Sequence, residues 1–194
     1  MGINNNERDA SLWNQFKNGD EESFSAVFKN YYPDLFNYGC RITGNHVLVE
    51  DSIQELFLDI WRTKGKADIL SLKAYIFKAF KFILIRMMAK NNKAELFIPV
   101  ATENNFELSH ENFIVNREQD AATKEKLEAA IQELSPRQKE IIYLKFYLNL
   151  NYEEVSDVMQ INYQASRNLI YQAIKMLKKI ISFYLFYLFV LQDI

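Results

Sequence analysis

Apolar residues recur every three or four positions along most of this chain, and nowhere in the strict alternation of a half-buried strand. After a polar, loose start over residues 1–10, Ser11 caps a short helix carrying Leu12, Trp13 and Phe16, which ends near Asn18-Gly19. Asp20 caps a longer helix whose buried stripe is Phe24, Val27, Phe28, Tyr31, Leu35 and Tyr38. Pro33 lies inside that stripe and predicts a kink or a brief interruption. Gly44-Asn45 breaks the chain, and His46–Arg62 follows with Val49, Ile53, Leu56, Phe57 and Ile60 facing inward. The next stretch, Leu70–Lys90, is apolar almost all round. Ile76, Phe80, Ile83, Leu84 and Met87 are assigned to its core face, and Tyr75, Lys78, Lys81, Phe82, Ile85 and Arg86 to its outside.

Residues 93–118 contain Pro99 and show no clear period, which reads as a linker too long for a loop within one compact domain. Some of its apolar groups, among Leu96, Phe97, Ile98, Phe106, Phe113 and Ile114, are candidates for docking on a partner. A second domain then opens with Ala122, Leu127, Ala130, Ile131 and Leu134. Ser135-Pro136-Arg137-Gln138 is a helix start with Ser as cap, Pro at the first helical position and Gln closing the box. Ile141, Ile142, Leu144, Lys145 and Leu148 carry that helix to Asn149.

Two shorter patterns follow. Asn151 and Glu154 form a second capping box before Val155, Val158 and Met159, with small Ser156 where two helices approach. Ile161 and Asn162 form a turn, and Asn162 caps a helix whose inner face is Leu169, Ile170, Ala173 and Leu177. Short helix, turn and second helix make a helix-turn-helix. The expected fold is therefore all-α: two small helical domains, 1–92 and 119–182, joined by the linker, the second with the helix-turn-helix. Residues 183–194 form a tail. The apolar run 180–191 is short of the roughly 20 residues that span a bilayer. It either extends the last helix and packs on its own domain, or docks on a partner.

At 49% hydrophobic and 14% aromatic, the chain has material for two cores. The net charge of −2 argues against nucleic acid until its distribution is seen. Residues 61–93 carry nine basic groups against one acidic, and residues 163–194 carry four against one. The acids gather in residues 1–60, with ten against four basic groups, and in 94–121, with six against one. Two basic blocks among acidic ones suggest two nucleic-acid surfaces.

The second helix of the helix-turn-helix supplies one of them. Gln164, Arg167, Asn168, Tyr171, Gln172, Lys175 and Lys178 point outward, types that read base edges or hold phosphate, with no carboxylate among them. Tyr75, Lys78, Lys81, Phe82, Arg86 and Lys90 supply the other, rings interleaved with cations that suit unstacked bases. A central core helix is the rival reading of that segment. Ahead of both in the chain lies an acid-rich helix face, Glu50, Asp51, Gln54, Glu55 and Asp59, with no basic residue to offset it between His46 and Trp61. Such a face suits a basic partner.

Other chemistry finds little support. His46, His110 and Cys40 lack metal-ligand spacing, and all five glycines lie at or before Gly65, leaving no phosphate loop in the second half. The Asp51/Glu55 pair reads as interface rather than catalytic dyad. No catalytic residue, metal, cofactor or small-molecule substrate is expected. A lone Cys40 fits a reducing compartment, and MGINNNERDASLW is not a signal peptide, so a cytoplasmic protein is expected.

Four segments carry a family resemblance: FSAVFKNYYPDLFNYGCR (24–41), VEDSIQELFLDIW (49–61), Leu72–Lys90 and LSPRQKEIIYLKFYLNLNYEEVSDVMQINYQASRNLIYQAIKML (134–177). Over roughly residues 11–180 the chain resembles bacterial sigma factors of the small, two-domain extracytoplasmic-function group, and its Bacteroidetes branch most. The resemblance implies that the first domain binds core RNA polymerase through Asp51, Gln54, Glu55 and neighbours. The same domain would open promoter DNA with the Tyr75–Lys90 helix and the loop before it. It implies that Gln164–Lys175 reads the upstream promoter element, that the linker lies near the RNA-exit path, and that an anti-sigma factor is a possible partner. An autonomous helix-turn-helix regulator with an N-terminal effector or dimerisation domain is the alternative. Three departures from the family stand out. Phe82 and Arg86 replace the frequent Asn and Asp. Gln160 replaces the usual turn glycine, so that either it takes a positive φ or the turn is altered. Ser166 replaces an apolar core residue and is expected to loosen the reading helix.

Overall fold

Hydroxyl, amide and carboxylate caps set the corners of the first half of the chain. The computed structural model describes residues 5–64, 69–91, 106–108 and 128–192, with 5–6, 91 and 180–192 described as backbone only. The chain divides into two compact units, Met1–Thr102 and Glu103–Ile194. The first unit holds α1 (Asn5–Lys17), α2 (Glu21–Ile42), α3 (His46–Thr63) and α4 (Leu72–Asn91). Gly19, at φ 97°, turns α1 into Asp20, which accepts from Ser23 N at 3.1 Å and starts α2. Asn45 does the same for α3 by accepting from Leu48 N at 3.1 Å. Ser71 Oγ accepts from Ala74 N at 3.2 Å at the start of α4.

The core of this unit is where α2, α3 and α4 meet. Val27, Leu35 and Tyr38 face Val49, Ile53, Leu56 and Ile60, and Ile76, Phe77, Phe80 and Leu84 close over them, all buried. Each such side chain contributes about 1.5–3 kcal/mol. The tightest point is Gly39, where an added Cβ would lie 2.7 Å from Val49 Cγ1 and 2.8 Å from Phe80 Cζ. Only a residue without a side chain lets the three helices approach this closely.

Several expectations change here. Helix α1 begins at Asn5, so Ser11 sits inside it and accepts from Gln15 Nε2 at 3.1 Å instead of capping, and residues 5–10 are helical rather than loose. The Tyr31 hydroxyl donates to Asp9, tying that extra turn to α2. Helix α2 runs through Pro33 without interruption. Pro33 and Lys29 are exposed, where water can take the bond the ring removes. Phe24 is half-buried and Phe28 is 37% exposed, so the front of the α2 stripe is open to solvent. On α4, Phe77 is buried edge-on to Tyr38 at 5.5 Å, while Met87 is only half-buried. Tyr75 packs 5.7 Å from Trp13, and burial pushes its phenol pKa up. A helix apolar all round gives no contrast from which its inner stripe can be read.

The second unit is built from a helical stretch at 128–132, α5 (Pro136–Ile142), α6 (Tyr152–Met159) and α7 (Tyr163–Gln192). The Ser135/Gln138 capping box is present with Pro136 in the first turn. The helix does not run on to Asn149. Tyr143–Tyr147 form a π-turn, in which Leu148 N bonds Tyr143 O at 3.1 Å. Asn149 then reverses the chain at φ 54°. The π-turn stacks Tyr143 on Tyr147 at 4.6 Å and buries Tyr143 and Leu144, leaving Phe146 49% exposed.

Phe106 and Leu108 are buried in this unit, Phe106 at 5.6 Å from Tyr143, so these linker residues serve their own core instead of standing free for a partner. The other linker residues named above, His110, the Lys64–Lys66 loop beyond Lys64, and the positions Ala122 and Leu127 lie outside the described residues. Helix α7 continues unbroken through the apolar run to Gln192, and how those side chains pack also lies outside them. Among the described residues there is no strand, and no helix is long and apolar enough to cross a membrane.

Gly39→Ala is expected to destabilise the first unit by about 1–3 kcal/mol, because Val49 and Phe80 are core side chains with nowhere to retreat. Urea unfolding of the full chain measures it.

Candidate nucleic-acid interface

The angle between α6 and α7 is set by backbone bonds at one residue. Gln160 takes φ 52°, ψ 46°, the left-handed conformation, so of the two alternatives left by the missing glycine the turn keeps its form. Its N–H donates to Asp157 O at 3.2 Å and Ile161 N to Ser156 O at 3.0 Å, the pair of bonds of a Schellman stop. Asn151 caps α6 from both Glu153 N and Glu154 N at 2.9 Å, and Asn162 Oδ1 caps α7 by accepting from Ala165 N at 2.7 Å.

Where the helices cross, Ser156 Oγ and Ser166 Oγ stand 2.9 Å apart. Each also reaches a carbonyl of its own helix, Tyr152 O at 2.6 Å and Tyr163 O at 2.8 Å. Ser166 is fully buried, and the two hydroxyl protons are shared among these three contacts. It therefore clasps the two helices where it was expected to loosen them. Behind the clasp lie Val155, Val158, Met159, Ile170 and Ala173, buried, with Leu169 and Leu177 half-buried.

This scaffold turns the other side of α7 to solvent. Gln164, Arg167, Asn168, Tyr171, Gln172, Lys175 and Lys178 are all exposed, Tyr171 to 65%. Gln164 Nε2 donates to Asn168 Oδ1 at 3.1 Å. The Arg167 guanidinium sits 5.8 Å from the centre of the Tyr163 ring. Tyr163, itself 45% exposed, was not among the expected site residues; the signal was an aromatic four positions before an arginine on one helix face.

The two candidate surfaces of the first unit turn out to be joined. Glu50, Asp51, Gln54 and Asp59 are exposed on α3, but Glu55 is half-buried and ion-paired with Arg86 of α4. Arg86 also lies 5.9 Å from the Phe82 ring, which is 59% exposed. Asp59 is 3.7 Å from Arg62. Lys90 is exposed, and Lys78 and Lys81 are half-buried. Tyr75 is half-buried and packed on Trp13, whereas Phe82 is open to solvent. Beside the acidic residues runs an apolar groove lined by Phe24, Phe28, Tyr32, Ile53, Phe57, Leu58 and Trp61. Leu58 and Trp61, 44% and 41% exposed, fall off the inner stripe of α3, and that offset was their signal in the sequence.

The chain is similar to known proteins in sequence and in fold. Residues 124–177 match the family described as Sigma-70, region 4. The chain is 23% identical over 156 residues to the ECF RNA polymerase sigma factor SigM of Bacillus subtilis, covering 80% of this chain and 93% of that protein. In fold it is similar to CnrH in complex with the cytosolic domain of CnrY, at TM-score 0.57, 17% identity, 90% of this chain and 97% of that one. It is also similar to the sigma factor RpoE in complex with the anti-sigma factor NepR from Bartonella quintana, at TM-score 0.54, 17% identity, 83% of this chain and 98% of that one.

Gln160→Gly is expected to stabilise the second unit by about 1 kcal/mol, since glycine takes the left-handed conformation without the Cβ penalty. A thermal melt of the full chain shows the gain as an upward shift of the corresponding transition.

Proposed function

We infer that this chain is a sigma factor of the extracytoplasmic-function group, the subunit that joins core RNA polymerase and directs it to promoters. The observation that carries the reading is the acid-free, exposed face of α7, held on a capped and clasped helix-turn-helix inside the residues that match Sigma-70, region 4. In this reading Gln164, Arg167, Asn168, Tyr171, Lys175 and Lys178 take the upstream promoter element. The N-terminal side chains reach base edges, and Lys178, three turns further on, meets phosphate.

Phe82, exposed with Arg86 beside its ring on a helix that also carries Lys78, Lys81 and Lys90, offers a stacking surface for the opened promoter strand. Tyr75 is a lesser candidate because its ring is engaged by Trp13. Glu50, Asp51, Gln54, Glu55 and Asp59, with the neighbouring groove, suit a basic amphipathic surface of core polymerase. We assign residues 1–92 to polymerase binding and promoter opening, 119–182 to upstream recognition, and 93–118 to the connection near the RNA-exit path. An anti-sigma partner and a cytoplasmic site of action follow from the same reading. The placement nearest the Bacteroidetes branch rests on the sequence resemblance.

The deciding experiment adds the full-length chain to purified core RNA polymerase on a library of bacterial promoter regions and scores run-off transcripts. Transcripts that depend on the chain are expected. Tight sequence-specific binding by the chain alone, with no transcript, would make it an autonomous regulator instead.

Two sets of substitutions refine the picture. Asp51→Lys with Gln54→Lys is expected to weaken pull-down by core polymerase with little change in melting, because both side chains are exposed. Glu55 is left intact so that Arg86 keeps its partner. On a promoter recovered from the run-off screen, Arg167→Ala is expected to cost about 1–3 kcal/mol of holoenzyme binding. Lys178→Ala should weaken binding evenly on cognate and scrambled upstream elements and reduce the salt slope by about one.

A further inference from the structure

We propose that Tyr163 is a positioning residue for sequence discrimination: its ring holds the Arg167 guanidinium in one orientation at the entry of α7. The proposal rests on the reading of α7 as the recognition helix. Tyr163 and Arg167 are one turn apart, and the guanidinium lies 5.8 Å from the ring centre, within cation–π range.

The ring is itself held from behind. It stands edge-on to Tyr152 at 6.2 Å, with 68° between the planes. The Tyr152 ring carries the Lys145 ammonium on its face at 4.8 Å, and Lys145 Nζ is fixed in turn by donating to Leu150 O at 2.9 Å. The Tyr152 carbonyl also lies 2.6 Å from the Ser156 hydroxyl, which shares its one proton between that carbonyl and Ser166. A series of cation, ring, ring and cation thus crosses from the π-turn to the first turns of α7.

Orientation matters for arginine more than for lysine. Its five donors lie in one plane, and bidentate pairing with guanine needs that plane aligned with the base. An exposed arginine without support samples many rotamers and gives up that freedom on docking. A ring beneath it selects the plane beforehand, as preorganisation does in other interfaces. Tyr163 keeps 45% of its surface exposed, so the core does not account for an aromatic side chain there.

The test uses the full-length chain in holoenzyme and a duplex library randomised across the upstream element. Wild type is expected to enrich one sequence, and Tyr163→Phe to enrich the same one, because the ring remains. Tyr163→Leu is expected to lower the cognate-to-scrambled ratio about tenfold while melting temperature and salt slope stay at wild-type values. Tyr163→Gln, a soluble helix former, gives the same readout if the leucine variant folds poorly. Combining Tyr163→Leu with Arg167→Ala should be no worse than Arg167→Ala alone, since the two act through one contact. If Arg167→Ala abolishes the preference while Tyr163→Leu and Tyr163→Gln keep it, the positioning role is overturned and the recognition helix stands. If Arg167→Ala itself leaves the preference intact, the recognition-helix reading falls, and this role with it.

Discussion

The backbone at Gln160 has little choice. Helix α6 must stop while its last carbonyls find partners, and α7 must leave at an angle that buries Ile170 and Ala173 and turns Arg167 outward. A left-handed residue between two helices meets all of these demands at once, through the bonds to Asp157 O and Ser156 O. Glutamine meets them at a local cost of about 1–2 kcal/mol relative to glycine. The surroundings outweigh that cost: the two caps at Asn151 and Asn162, the Ser156–Ser166 contact and a row of buried aliphatic side chains all require the same crossing. The exposed face of α7 is defined only because that crossing is.

Serine at position 166 shows how a departure from an apolar pattern can be compensated nearby. A lone hydroxyl in that core would cost about 1–3 kcal/mol unpaired. Ser156 stands directly opposite and supplies the partner, and Tyr163 O takes the remaining capacity. Hydroxyls so short demand close approach of the backbones. The pair therefore brings α6 and α7 nearer than two leucines would allow, and it adds a directional bond where apolar packing alone would permit sliding.

How legible this was depended on the kind of signal. Caps were readable because they are local: Asp20, Ser135, Asn151 and Asn162 each act within three residues, and each is found capping. Amphipathic helices were readable where polar and apolar residues differ sharply, as on α3 and the first turns of α7. Helix α4 was not, because apolar side chains surround it. Its burial of Phe77 over Met87, and its capture of Tyr75 by Trp13, were decided by α1 and α2, far away in sequence. Ser11 failed as a cap because helix continued upstream of it, anchored by the Tyr31 bond to Asp9. The π-turn at Tyr143–Tyr147 has no compositional mark, since the residues that form it suit an ordinary helix equally well. On the candidate sites, the outward residues of α7 were legible from period alone, whereas the Glu55–Arg86 pair joins positions 31 residues apart and needed the fold.

That pair changes how the two faces of the first unit relate. Charge blocks along the sequence suggested an acidic α3 surface suited to a basic partner and a basic α4 surface suited to nucleic acid. The ion pair places one member of each side by side, with side chains 33% and 50% exposed. At that exposure an ion pair is worth about 0–1 kcal/mol, and salt weakens it further. It is therefore too weak to lock α3 against α4; the buried meeting of Val49, Gly39 and Phe80 does that. What the pair does is hold Arg86 beside Phe82 while each charge stays open to exchange.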